Sequence, residues 1–327
     1  MKSSSFERIN YTLRPKKQIE RKILIEFFQQ VSKHSREMDI CKYHYIGMGS
    51  IFYYDFILFH KYLHIRRMTS IDDKINIKRF EFNKPYDFVT FQPQKTTDFF
   101  GENSLTDKVI IWLDYDYSLF RRLKDGTIQT TNILKDIDLI TQSVKNKSFL
   151  IITINAGFPK QIKDQLTVIS LFRKWMSREF KSGGEIDDEK GFPLVQNIIL
   201  NFIEEKQKFN STKFYKLFSF KYNDGAPMFT LVGVFDDSDA FQKSVVNERF
   251  VKIDDSIVDI NVPILTYREK LYLDSRIEGL SEKNKALDDL KFKEELSKLE
   301  FELDDSGLIK SYLEFYPYYP QYYEGVI

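Results

Sequence analysis

Residues Lys42 to Phe56 read KYHYIGMGSIFYYDF, an aromatic and β-branched run that stops at two glycines one residue apart. A short run of this composition predicts a strand over 43–47, closed by Gly47. Ser50 follows where a helix wants an N-cap, and Phe52, Phe56, Phe59 and Leu63 recur at helical spacing. Strand, glycine turn and helix in that order make a βα unit. A Gly-x-Gly turn is common by itself, so its meaning depends on the elements around it.

Those elements alternate. Upstream, Ile19, Ile23, Leu24, Phe27, Phe28 and Val31 form an apolar stripe that predicts a helix over 17–33. Downstream, RMTSID (67–72) reads as a strand, KINIKRFEFN (74–83) as a helix, and DFVTFQ (87–92) as a third strand. KVIIWLDYD (108–116) and SFLIITINAG (148–157) are apolar throughout, with a helix predicted between them over 130–146. Strands apolar on both faces and alternating with helices call for a parallel sheet covered on both sides. Two further helices are expected over 159–180 and 193–208. Asn223-Asp224-Gly225 then separates two β-rich runs within 213–235, a hairpin signal. The expected fold is α/β: a doubly wound, mostly parallel seven-stranded sheet with a terminal antiparallel hairpin, an N-terminal helix and a C-terminal helical extension. The expected segments are 1–40, 41–240 with a helical insertion at about 159–213, and 241–327, the last with a charged helix over about 266–302.

Composition narrows the function classes. Forty-nine basic residues against 48 acidic ones give no global field for nucleic acid. Cys41 is the single cysteine, which rules out a disulfide framework and a thiolate metal cluster. No apolar run reaches the roughly 18 residues of a membrane span, and the first residues lack the core of a secretory signal. A cytoplasmic protein without membrane contact is expected. His60 and His64 stand four apart on one predicted helix, a metal-capable spacing, but no third ligand is near in sequence and no metal is expected. The aromatic end, YLEFYPYYPQYY, is expected to pack on the fold or to join a homodimer or protein partner.

Asp72 closes the second strand 25 residues after Gly47. An acid at about that distance from a glycine turn is placed to accept from both hydroxyls of a ribose. The alternative is a tight turn that uses glycine for packing, with Asp72 and Asp73 capping the next helix. The fourth strand ends in Asp114-Tyr115-Asp116-Tyr117, where a carboxylate can act as a general base.

Over residues 40–238 this order of elements, with the YIGMGS turn, Asp72 and the DYDY exit, resembles the class I S-adenosylmethionine-dependent methyltransferases. It also resembles bacterial proteins of O-methyltransferase type that are encoded near antiviral defence genes. The resemblance implies S-adenosylmethionine as cofactor, held by Gly47, Gly49, Ser50, Asp72 and Asp73. It implies Asp114 and Asp116 beside the transferred methyl, with the methyl going to an acceptor that the motifs do not define. Phe52 stands where a dinucleotide fingerprint has its third glycine, which favours a ligand without pyrophosphate. Tyr43-His44-Tyr45-Ile46 replaces the acid that many methyltransferases carry before the glycines. No Asn/Asp-Pro-Pro-aromatic string follows strand four, which disfavours methylation of DNA base amino groups. Two other readings stay open: a non-catalytic Rossmann-like subunit of a multi-protein system, and a Mg²⁺-dependent phosphotransfer enzyme using Asp114. The second arises because Asp-x-Asp after an apolar strand also resembles the nucleophile motif of haloacid dehalogenase-type phosphatases.

Overall fold

The structure is a computed structural model and describes residues 14–73, 77–177, 185–263, 265–277 and 306–320. The chain divides into two compact units. One comprises residues 25–221 and 225–258, the other residues 1–24, 222–224 and 259–327.

The larger unit is built on the sheet. After helix α1 (Pro15–His34) come β1 (His44–Gly47), α2 (Tyr54–Leu63), β2 (Arg67–Ile71), α3 (Ile77–Phe82) and β3 (Val89–Gln92). Next are α4 (Thr96–Glu102), β4 (Val109–Asp114), a small hairpin of β5 (Phe120–Arg122) and β6 (Ile128–Thr130), and α5 (Ile133–Ser143). The chain continues through β7 (Ser148–Asn155), α6 (Ile162–Phe172), α7 (Asp188–Lys206), β8 (Lys213–Asn223), β9 (Pro227–Asp236), α8 (Ala240–Ser244) and β10 (Val258–Asp259). The strand order is β10-β8-β9-β7-β4-β1-β2-β3. β1 pairs parallel with β2 and β4, and β4 with β7, whereas β7 and β9 are antiparallel. From β1 the chain builds outward to β3 and then returns to the other side through β4. The reversal falls between β1 and β4, and in open α/β sheets ligands bind beyond the strand ends at that point.

The central strands carry the expected pattern. Every residue of β4 before Asp114 and of β7 before Asn155 is buried. Leaving neither face to water is what a sheet sandwiched between helices demands. Phe27 and Phe28 of α1 meet the Phe149 ring edge-on at 6.2 and 5.1 Å, and Phe27 meets Phe218 at 5.1 Å. These aromatic contacts place the second half of α1 with the sheet, and residues 241–258 also fall in that unit.

Several expectations change. The sheet has eight strands, not seven, because the two-residue β10 extends the hairpin edge. Such a short strand leaves no periodic trace. The helix after the glycines begins at Tyr54, not at Ser50. Tyr53 takes the preceding position in the left-handed region (φ 48°). Its ring packs on Phe56 and Phe80, and its hydroxyl donates to the Phe80 carbonyl at 3.1 Å. Tertiary packing of a large side chain thus outweighs capping by Ser50, whose Oγ accepts from the Phe52 amide at 3.3 Å inside the turn. Phe52 precedes the helix and is 51% exposed, so it is not part of the helix face. Helix α7 starts five residues before Pro193, because the Asp187 carboxylate caps the Lys190 amide at 2.8 Å. Within the expected helix over 74–83, residues 74–76 lie outside the described residues.

In the smaller unit, Lys17 pairs with Glu20 at 2.8 Å, Tyr222 donates to Glu20 at 3.2 Å, and Arg14 pairs with Asp224. Helix α9 (Tyr267–Asp274) opens on a capping box of Thr266 and Glu269. Helix α10 (Ser306–Phe315) leads into the aromatic end, where Phe315, Tyr318 and Tyr319 are buried. The Tyr319 hydroxyl donates to the Pro263 carbonyl at 2.8 Å and accepts from the Leu265 amide at 3.0 Å. The rest of the expected 266–302 helix from residue 278, and the tail from 321, lie outside the described residues. Among the described residues no helix is long and apolar enough to cross a membrane.

Candidate functional site

A cavity of about 520 Å³ opens at the carboxyl ends of β1 to β4. Its size suits a nucleoside-sized ligand. Met48 lines it from the β1 exit, Ile71, Asp72 and Asp73 from the β2 exit, and Gln94, Lys95 and Thr96 from the turn between β3 and α4. Asp116 and Tyr117 contribute from the β4 exit, Arg121 from β5, and Thr131 and Asn132 from the approach to α5.

The register explains this convergence. Gly47 is level with Ser70 on β2 and Trp112 on β4, so the turns that follow these strands open onto one rim. The glycines themselves serve packing. A Cβ on Gly49 would collide with the Ser70 hydroxyl and stand 3.2 Å from Ser70 Cβ, while one on Gly47 would meet the Tyr45 phenol. Only glycine lets the β1 turn lie this close to β2. Of the residues expected at the cofactor, Asp72 and Asp73 line the cavity, whereas Gly47, Gly49 and Ser50, in the same turn as the lining Met48, are not among its lining residues. Of the two acids at the β4 exit, Asp116 lines the cavity; Asp114 is half-buried in β4 in register with Thr153.

Beneath the rim lies a buried carboxylate. Asp136 on α5 is fully buried and accepts from Thr96 Oγ1 at 2.5 Å, from Thr97 Oγ1, and from the Tyr115 hydroxyl at 2.6 Å. One side chain thereby ties α5 to the start of α4 and to the β4 exit. Hydrogen bonds to an ionised acceptor are the stronger kind, and these three compensate the burial of the charge. Burial, then the charge of Asp136, holds the Tyr115 phenol well above its ordinary pKa. Tyr117, with its ring 5.1 Å from that of Tyr115, is pushed up by burial and then by Asp136, Asp116 and Asp73, with Arg121 opposing. It therefore remains a neutral hydroxyl in the cavity wall across the physiological range.

The wall above Tyr117 is the β5–β6 hairpin. Leu119 and Ile128 anchor it in the core, the Phe120 ring packs 5.5 Å from that of Phe158, and Arg122 pairs with Asp164 of α6. Its turn uses Gly126 at φ +87°, with Asp125 accepting from the Thr127 amide at 2.9 Å. The Asp-Gly pair between Phe120-Arg121-Arg122 and Thr127-Ile128 is a hairpin signal that sequence reasoning passed over. Helix α4 was missed as well, because TTDFFGE is too short for a periodic stripe to stand out. Nothing in the sequence distinguishes Asp136 from the surface acids near it.

His60 Nδ1 donates to the Ile65 carbonyl at 2.8 Å and its ring packs on Tyr86 and Phe88, while His64 ends α2 in the left-handed region. Among the described residues no three acidic, histidine or cysteine side chains converge as a metal site.

A family model described as "Putative O-methyltransferase" matches residues 9–327. No curated protein matches the chain by sequence. Among solved structures, the chain is similar to Trm1 from Pyrococcus horikoshii in complex with S-adenosyl-L-methionine. The identity there is 12% and the TM-score 0.45, over 85% of this chain and 76% of that one. The N-methyltransferase NodS from Bradyrhizobium japonicum has 12% identity and a TM-score of 0.33, over 66% and 97%. TYW2 from M. jannaschii in complex with AdoMet has 12% identity and a TM-score of 0.34, over 63% and 76%.

Proposed function

We propose a function from one premise, that this chain belongs to the "Putative O-methyltransferase" family: it transfers a methyl group from S-adenosylmethionine to an oxygen or nitrogen of an acceptor. The observation that carries the reading is the chemistry of the cavity's donor set. Asp72, Asp73 and Asp116 all face one cavity, beside the apolar Met48 and the Tyr117 ring. Carboxylates at the β2 exit accept from a ribose diol, and carboxylates with an aromatic face favour a cationic centre. S-Adenosylmethionine has both a ribose diol and a sulfonium cation, and it has no pyrophosphate for a third glycine to accommodate.

In this reading Asp72 and Asp73 hold the ribose, and Gln94 with Thr96 borders the base. Bound there, the cofactor supplies an electrophilic methyl group. Tyr117 and Met48 shield the reacting region from water, and Asp116 orients the acceptor or takes its proton. Methyl transfer needs a near-linear approach, so most of the rate enhancement comes from holding the two partners in line. Asp136 contributes by fixing Thr96 and the β4 exit relative to each other.

Titration calorimetry with S-adenosylhomocysteine tests this. The wild-type chain should bind, and Asp72→Ala should lower affinity by at least about tenfold, since a carboxylate hydrogen-bonded to two hydroxyls is worth more than about 1.4 kcal/mol. Undiminished binding by the variant would sink the assignment.

A further inference from the structure

We propose that Arg121 recognises an anionic oxygen group, a carboxylate or a phosphate, on the methyl acceptor. The inference rests on the methyltransferase reading above and names the acceptor's chemistry. Arg121 lies on β5, directly across from Gln129 on β6. With the Gln129 amide oxygen turned toward the guanidinium, it accepts from Arg121 Nε at 2.9 Å and from Nη2 at 2.8 Å. That uses two of the five N–H donors and fixes the plane of the fork, leaving three for a ligand. Arg121 lines the cavity, as does a second cation, Lys95, and neither forms an ion pair among the described residues.

The hairpin that carries Arg121 is held rigidly by Leu119, Ile128, the Phe120–Phe158 contact and the Arg122–Asp164 pair. An arginine oriented by an amide on an anchored strand has already lost much of the side-chain entropy that binding would cost. Arg121 is exposed, and the Gln129 amide gives it a direction that a lone surface arginine lacks. The cavity's acids are accounted for by a diol and a cation, and neither requires a guanidinium. An oxyanion does, because the planar fork matches two oxygens of a carboxylate or phosphate. Arg121 also belongs to the segment inserted between β4 and α5, on the side of Asp116 and Tyr117, where the acceptor has to enter.

The test uses the full chain saturated with S-adenosylhomocysteine and inorganic phosphate as probe, at constant ionic strength set with chloride. A ligand of the native state raises apparent stability in proportion to its binding. Phosphate should raise the melting temperature of the wild type saturably. Arg121→Gln should weaken this response at least about tenfold, Arg121→Lys should retain part of it, and Gln129→Leu should fall between wild type and Arg121→Gln. S-Adenosylhomocysteine affinity of Arg121→Gln should stay within about twofold of wild type, since the cofactor is held elsewhere. An equal phosphate response in wild type and Arg121→Gln, or none in a wild type that binds S-adenosylhomocysteine, would overturn the proposal. So would a tenfold loss of S-adenosylhomocysteine affinity in Arg121→Gln, which would assign the arginine to the cofactor's own carboxylate. A wild type that fails to bind S-adenosylhomocysteine would instead remove the methyltransferase reading.

Discussion

The exits of β1 and β4 face the same cavity and are built on opposite principles. At β1 the motif residues are absences of side chain: Gly47 and Gly49 let the turn press against Tyr45 and Ser70, and only Met48 reaches the cavity. At β4 the groups that reach the cavity are side chains, Asp116 and Tyr117, and the neighbouring Tyr115 is tied to Asp136, which lies 20 residues beyond Asp116 and is not among the lining residues. The first exit tolerates no added atoms. The second tolerates no lost hydrogen bonds. A recognisable motif therefore need not be the contact surface, and a decisive residue need not belong to a motif.

Breaking the β4 side should have the larger effect. Asp136→Ala leaves the hydroxyls of Thr96, Thr97 and Tyr115 without their common acceptor and opens a buried void. The expected loss is at least about 4.5 kcal/mol in chemical denaturation, taking each of the three bonds to a charged group at roughly 1.5 kcal/mol or more. A loss below about 1 kcal/mol would mean that this network does not organise the β4 exit. Breaking the β1 side should cost less. Gly49→Ala forces the Ser70 hydroxyl aside and strains the contact with Ser70 Cβ, so an overpacking penalty of about 2 kcal/mol is expected. If the variant were as stable as wild type, the turn would not be as tightly packed as the structure has it.

The smallest effect sharpens the comparison from the far end of β1. Burial, then the neighbouring Arg67, lowers the His44 pKa to about 4 from its ordinary 6.5, while Nε2 bonds Thr69 Oγ1 at 2.8 Å. The folded state therefore binds this proton less readily than the unfolded chain. His44 contributes stability that is complete above about pH 6.5 and is lost as the pH falls toward 4. With the ring partly exposed, the contribution at pH 5 should be on the order of 1 kcal/mol. His44→Gln should flatten the stability profile between those two pH values, and an unchanged slope in denaturant titrations would contradict the assignment.

Much of the sheet was legible because its cause is local. β4 is apolar at every position before Asp114, β7 is buried at every position before Asn155 with only Ser148 and Thr153 polar, and the α1 stripe from Ile19 to Val31 is buried as its spacing required. Asp72 was legible from its distance to Gly47. The start of α2 was not, because the Tyr53 ring finds Phe80, 27 residues away in sequence, and that contact overrules the local cap. The β5–β6 hairpin carried a readable Asp-Gly signal, yet its strands are three residues each and Arg121 gains meaning only opposite Gln129.

The sequence by itself determined the order of the longer strands and helices, the hairpin at the end of the sheet and the acids available at the strand exits. Periodicity and turn chemistry act over a few residues, so they are written in the sequence. Only the tertiary structure decided which exits meet at the cavity, how closely the glycines are packed, and that a buried aspartate lies near it and a hairpin arginine in its wall. Those outcomes depend on side chains brought together from distant elements, where burial makes each hydrogen bond and each missing Cβ count.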